Sequence, residues 1–441
     1  MKRLLSLLLC TVLALFCATT AQAAGVSITL TASEYALHYA FDAGAQDPFV
    51  ILEYATPAEK GWMMLYSEDG HFEGDVSLAY SGAGGKTSVA LTSARTTGSI
   101  GKTSTTLPKA ADYQKPTGKS NAKVTDFVLT ETPEGFHYAF NAAGTDYMLL
   151  YWRSKEQTVT QPVYPDKNGH YEGDVISDLT FARTQFTVQV KSGSGSMKKE
   201  ATVRKGYQAP EAPQRQEGRL SGVTVCIDAG HQENGRFVNE PIGPGLTGST
   251  SGKGGMAQGT KTNRRESIVC LEIGMLLRDE LLRQGANVVM TREDQTTFHT
   301  NIERCEIAEA GGAQIMLRLH CNNSSNRSKR GIQVYGPLNS DYAKAVADAD
   351  TYREMGQKLL DAMKTRVGMT LANSTGMVRL NDNYVGNNWA KMMCFLVEMG
   401  YLSNPAEEYL LVTPVYQQWL AEGMADGVYE IAVARGWVQA Q

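Results

Sequence analysis

Two histidines and two glutamates have the residue types and placement to build a hydrolytic centre: His231, Glu266, His320 and Glu398. His231 follows the apolar, β-branched run 223–228. His320 ends the run 315–319, and Glu398 ends 394–397. Ligands of parallel sheets gather at the carboxyl ends of the strands, so three strand ends each offer a metal-capable side chain. Glu266 lies in the first turn of a helical pattern that begins at Arg265. Taken singly, each residue has a plain reading. A lone histidine is a hydrogen-bonded core or loop imidazole. Glu266 is an acid favoured by the positive end of a helix, by about 0.3–1 kcal/mol. Glu398 is a strand-end carboxylate, although Phe395 and Val397 point to a buried strand whose terminal acid needs a partner. Taken together, two His, one Glu and a water make a catalytic zinc set. The cation there stabilises hydroxide near neutral pH.

The elements that must position these residues alternate along the second half. Strand patterns cover 223–228, 287–291, 315–320, 331–335 and 394–398. Helical patterns cover 265–284, 302–310 and 343–366. A last helix starts with Thr413 as N-cap and Pro414 in the first turn, and buries Tyr416, Leu420, Met424, Val428 and Ile431. This alternation predicts an α/β domain over 220–441, with a mostly parallel sheet flanked by helices.

The first half is a tandem repeat. Leu37-His38-Tyr39-Ala40-Phe41-Asp42 returns as Phe136-His137-Tyr138-Ala139-Phe140-Asn141. Gly70-His71-Phe72-Glu73-Gly74-Asp75-Val76 returns as Gly169-His170-Tyr171-Glu172-Gly173-Asp174-Val175, at the same offset of 99. Alternating apolar residues and frequent turns predict two small all-β sandwich-like domains, 24–98 and 122–207. The stretches 99–121, rich in Thr, Ser, Lys, Gly and Pro, and 208–219 read as linkers. The repeated Gly-His-aromatic-x-Gly-Asp reads as a hairpin turn leading into a strand.

Residues 1–23 read as a secretory signal peptide. Lys2 and Arg3 precede an apolar run of 14 residues, 4–17, and Ala21-Gln22-Ala23 supplies a small-x-small cleavage site. That run is shorter than the roughly 20 residues of a membrane span, and no later one suffices. The expected location is therefore outside the membrane, in the cell wall or periplasm or secreted. The chain of 441 residues carries a formal charge of -4, which becomes -6 when Lys2 and Arg3 leave with the signal. An acidic body argues against nucleic-acid binding. The five cysteines beyond the signal, Cys226, Cys270, Cys305, Cys321 and Cys394, are odd in number and scattered. They read as buried free thiols rather than a disulfide framework.

Ile227-Asp228-Ala229-Gly230-His231, Arg264-Arg265-Glu266, Thr291-Arg292, Leu319-His320-Cys321-Asn322 and Val397-Glu398-Met399-Gly400-Tyr401-Leu402-Ser403-Asn404-Pro405 occur in that order. In them the chain resembles the zinc-dependent N-acetylmuramoyl-L-alanine amidases of the amidase-3 type over about residues 220–435. The resemblance implies Zn²⁺ held by His231, Glu266 and His320, with Glu398 as the catalytic carboxylate. It implies peptidoglycan as substrate, cut between N-acetylmuramic acid and the L-alanine of the stem peptide. Ile268 departs from the family's usual Asn, Arg318-Leu319 from Ser-Ile, and Cys321 from a small residue. The 34 residues between His231 and Glu266 are long and rich in Gly, Ser and Thr. They read equally as a roof for the substrate groove or as an excursion without a role. The alternatives are a zinc or cysteine peptidase of wall peptides, the latter with Cys321 as nucleophile, and an inactive wall-binding protein. The β repeats point to wall binding by association alone.

Overall fold

The computed structural model describes residues 18–22, 26–34, 36–78, 81–96, 98–111, 122–132, 135–143, 145, 148–153, 158–176, 184–192, 196–205, 211–232, 238–250, 255–262, 264–368 and 378–440. The expected signal peptide lies outside them except for 18–22. The chain divides into two compact units, with the main boundary between Arg204 and Lys205.

Period-two alternation builds the first unit. In repeat one, β1 (Ala18–Gln22), β2 (Ser27–Ala32), β3 (Ala36–Asp42) and β6 (His71–Ser77) form one antiparallel sheet. Facing it are β4 (Phe49–Ala55), β5 (Glu59–Tyr66), β7 (Gly85–Ser93) and β8 (Ser99–Leu107). Ile28, Leu30, Leu37 and Phe41 of the first sheet and Val50, Leu52, Val89 and Leu91 of the second share one buried core. In repeat two, β9 (Lys123–Thr132), β10 (Gly135–Ala143) and β13 (His170–Ile176) oppose β11 (Met148–Arg153), β12 (Thr158–Val163), β14 (Thr184–Lys191) and β15 (Met197–Lys205). The duplication reaches the packing. Phe41 stacks on Phe72 at 4.9 Å between centroids, and Phe140 on Tyr171 at 4.6 Å.

Two expectations are corrected here. Residues 99–107 are not linker but strand β8, paired along its length with β7. Its inward positions are Gly101, Thr103, Thr105 and Leu107, so only the last carries a large apolar side chain to reveal the alternation. The two sandwiches are also not separate. β12 meets β5 at Val159↔Glu59, which makes one eight-stranded sheet from both repeats.

The second unit holds a six-stranded sheet in the order β17-β16-β18-β21-β19-β20. These strands are β16 (Thr224–Ala229), β17 (Asn287–Met290), β18 (Ile315–Asn322), β19 (Gln333–Gly336), β20 (Val378–Leu380) and β21 (Met393–Tyr401). β17, β16, β18 and β21 run parallel, and β19 lies antiparallel to β21. The helices are α1 (Glu266–Arg283), α2 (Asn301–Ala310), α3 (Asp341–Val346), α4 (Ala349–Val367), α5 (Val385–Trp389), α6 (Glu407–Leu410) and α7 (Pro414–Ala434). Both sheet faces are covered, as nearly continuous apolar strands require. Cys226, Met316 and Cys394 pack with Cys305 and Ala308 of α2. Gly274 of α1 lies over Ile227, Ala229 and Leu319. All five cysteines are free and buried.

The helix read over 343–366 is two helices. Ala347 is extended at φ -166, and the Asp348 side chain accepts the Thr351 N–H to start α4. The linker expected over 208–219 also ends early. Gln216 N–H donates to Leu282 O and Arg215 to Gly285 O, which ties the segment to the end of α1. Among the described residues no helix is long and apolar enough to cross a membrane.

Glu407 at the start of α6 accepts the N–H groups of Gly331 and Tyr401 at 2.8 Å each. Burial pushes its carboxyl from an ordinary 4.5 up to about 7, against the pull of those two donors. Between these values the native state holds a proton that the unfolded chain has released. Stability must therefore fall as pH rises through that window. The melting temperature should drop from pH 5 to pH 7.5, and Glu407→Gln should shrink that drop. An equal drop in both proteins would remove Glu407 as its source.

Candidate metal centre

The β16 end is shaped for close approach. A Cβ on Gly230 would lie 2.5 Å from Leu319 O and 2.6 Å from His320 Cε1, so only glycine fits. His231 follows with φ +57, a left-handed conformation rare for non-glycine residues. Such conformations persist where the surroundings enforce them, and two arginines do so here. Arg292 donates to Ala229 O, Gly230 O and, across to the first turn of α1, Ser267 O. Arg304 of α2 donates to Ala229 O, to His231 O and to the Gln232 side chain.

Beneath them lies Asp228, fully buried, with ion pairs to Arg304 and Arg318 and a bond from Thr291 Oγ1 at 2.8 Å. Burial alone would raise this carboxyl; the two guanidiniums hold it well below the usual carboxylate range. Arg318, a departure from the resembled pattern, thus neutralises a buried acid and also reaches Asn301 Oδ1 at 2.6 Å. Thr300 and Glu303 form a capping box at the start of α2, and Glu240 accepts the Asn301 and Ile302 N–H groups there. This fixes the helix that carries Arg304.

The structure brings His231, Glu266 and His320 together, with one ligand atom from each within 4.8 Å of the others. Glu266 Oε1 lies 3.1 Å from His231 Nε2 and 2.9 Å from His320 Nδ1. Its carboxylate also accepts Ala257 N–H at 2.7 Å and Cys321 N–H at 3.0 Å. The long segment after His231 therefore takes part, since residue 257 grips Glu266 directly. Burial raises the Glu266 carboxyl, but the two imidazoles outweigh it and keep it well below the usual range. Burial lowers the His320 imidazole, which favours the neutral ring that a metal needs.

Glu398 is the register partner of His320 on the neighbouring parallel strand. Burial first, and the Glu266 charge second, push its carboxyl well above the usual range. Its Oε2 and the Nε2 of His320 are buried without a hydrogen-bond partner among the described residues. A two-nitrogen, one-carboxylate donor set flanked by two orphaned polar atoms fits a divalent cation of the zinc class. Cys321 does not fit a nucleophile. It is 3% exposed, and burial pushes its thiol well above the ordinary value.

The fold and cluster define an α/β domain with a candidate metal site at its strand ends. Residues 225–430 match the family described as N-acetylmuramoyl-L-alanine amidase. The germination-specific N-acetylmuramoyl-L-alanine amidase of Bacillus subtilis is 26% identical over 231 residues, 49% of this chain and 83% of that protein. The probable cell wall amidase LytH of Staphylococcus aureus is 27% identical over 218 residues, 48% of this chain and 60% of that protein. A solved N-acetylmuramoyl-L-alanine amidase from Clostridium difficile 630 is 24% identical over 48% of this chain and 96% of that one, with a TM-score of 0.38. Over residues 225–430 the chain thus carries the match to this family, and N-acetylmuramoyl-L-alanine amidase activity on the cell wall is the activity that these similarities support.

The sequence reading missed the parts that hold the His231, Glu266 and His320 side chains in place. Arg304 and Glu240 carried no local signal. The Thr300-x-x-Glu303 capping box did, and it marks the helix start.

Proposed function

We propose that the mature enzyme is an exported, zinc-dependent amidase in which His231, Glu266 and His320 hold the metal and Glu398 is the acid–base group. The observation that supports it is the convergence of three candidate ligand atoms within 4.8 Å, beside a carboxylate whose Oε2 is buried with no hydrogen-bond partner among the described residues. A bound Zn²⁺ supplies Lewis acidity to the scissile carbonyl and lowers the pKa of a water towards neutrality. Glu398 accepts the proton of the attacking water. It then delivers that proton to the nitrogen of L-alanine as the bond to the lactyl carbonyl breaks. Arg292 and Arg304 hold the His231 backbone in register with Glu266, so the ligands need little rearrangement.

Mass analysis of purified peptidoglycan after digestion tests the reading. The expected product is a stem peptide with a free L-alanine amino terminus, formed with metal and abolished by a chelator. A new glycan reducing end, or a cut inside the peptide, would overturn it.

A further inference from the structure

The segment that carries Glu398 continues into a second, separate task. β21 ends at Tyr401, and Asn404 turns the chain into α6. Its Oδ1 accepts the Ala406 and Glu407 N–H groups at 3.0 and 3.1 Å, and its carbonyl accepts the Glu408 N–H at 3.0 Å. Glu408 is thereby fixed, and it is fully buried. A buried carboxylate is costly unless hydrogen-bonded, and here the donors come from the long segment between His231 and Glu266. Oε2 accepts the N–H groups of Lys261 and Thr262 at 2.8 and 3.1 Å and the Thr262 hydroxyl at 3.3 Å. Oε1 accepts the Thr260 hydroxyl at 3.0 Å. Gly259 stands against this contact: a Cβ there would lie 2.3 Å from Thr262 Oγ1 and 2.6 Å from Glu408 Oε2.

The clamped turn fixes what Glu266 meets. Gly259 N–H donates to Arg264 O at 2.9 Å, and Gln258 forms an antiparallel bridge with Arg265. Apart from that bridge, 255–262 is neither helix nor strand, so the clamp rather than local structure sets its shape. The register brings Ala257 against Glu266 with a bond in each direction. Glu266 N–H donates to Ala257 O at 2.9 Å, and Ala257 N–H donates to Glu266 Oε2 at 2.7 Å. The Glu266 carboxylate is thus held from two sides. Ala257 of the loop takes Oε2, and the Cys321 N–H of β18 takes Oε1 at 3.0 Å.

We propose that Glu408 is a positioning residue for the metal centre. By clamping the turn 260–262 it keeps the Ala257 N–H on Glu266, and so sets how that carboxylate faces His231 and His320. The proposal rests on Glu266 being a metal ligand. Supporting partners of metal ligands are worth about 10–100-fold in affinity. Glu408 acts one step further out, through Ala257, so its loss should cost about tenfold, the lower end of that range.

Two measurements on the full chain test it. In the metal-free protein, residue-resolved hydrogen exchange reads the two amides on Glu266. Glu408→Ala should speed exchange at Ala257 and leave Cys321 unchanged. Gly259→Ala, which displaces the same carboxylate from the loop side, should do likewise. Glu408→Gln should restore protection: its amide oxygen replaces Oε2, and its Nε2 donates to Thr260 Oγ1. Titration with Zn²⁺ should then give a Kd about tenfold higher in the two alanine variants than in wild type and Glu408→Gln. Unchanged Ala257 exchange in both alanine variants would overturn the proposal, as would a freed Ala257 with unchanged Zn²⁺ affinity. Faster exchange at Cys321 together with Ala257 would make Glu408 a residue of the fold alone and also overturn it. A wild-type chain that takes up no Zn²⁺ would overturn the ligand reading and the proposal with it, and the exchange pattern would still show whether the clamp exists.

Discussion

Glu398→Gln should retain its metal and lose turnover by about 10²–10⁴-fold, the scale of a single acid–base group. The amide keeps the size and shape of the carboxylate and removes only its basicity. Glu398 stands beside the ligand cluster without belonging to it, its Oε2 buried and unpartnered. Replacing it leaves the donor set intact and relieves the cost of a buried carboxylate. Metal content should stay near wild type, and the melting temperature should hold or rise. A variant that holds metal, melts normally and cleaves muropeptides at near wild-type rate would remove Glu398 from the mechanism. A variant that is merely unstable would assign it a structural role.

His320→Ala should lose both bound metal and activity, because it deletes one of the three proposed protein ligands. Glu266→Gln should follow it, since a neutral amide is a poor zinc ligand. His231 needs a different substitution, because its φ of +57 penalises most side chains. Asn tolerates that conformation better than Ala, so His231→Asn separates ligand loss from backbone strain. Metal analysis beside a melting curve reads the result. Full metal occupancy in all three variants would end the ligand assignment.

The cluster of His231, Glu266 and His320 was legible because each member falls at an element boundary with a clear local signal. His231 and His320 follow apolar β runs, and Glu266 opens a helix whose apolar spacing is plain. What was not legible depends on distant contacts. Nothing local to Arg304 says that it will reach the carbonyl of His231, 73 residues away. Asp228 stood within a recognised motif, yet its role as anchor for two guanidiniums needs α2 and β18 in place. The break between α3 and α4 escaped notice because Ala347 is no helix breaker; the stop comes from Asp348 capping the next helix. β8 was obscured because three of its four inward positions, Gly101, Thr103 and Thr105, are not large apolar residues and only Leu107 is.

The five free thiols all lie in the second unit and are all buried, while residues 24–204 contain none. Among the described residues, therefore, no disulfide contributes to the fold. The same distribution makes the thiols a selective clock for this half of the molecule. A thiol reagent reaches them only when the α/β unit opens, so the labelling rate reports the free energy of that opening without interference from the β repeats.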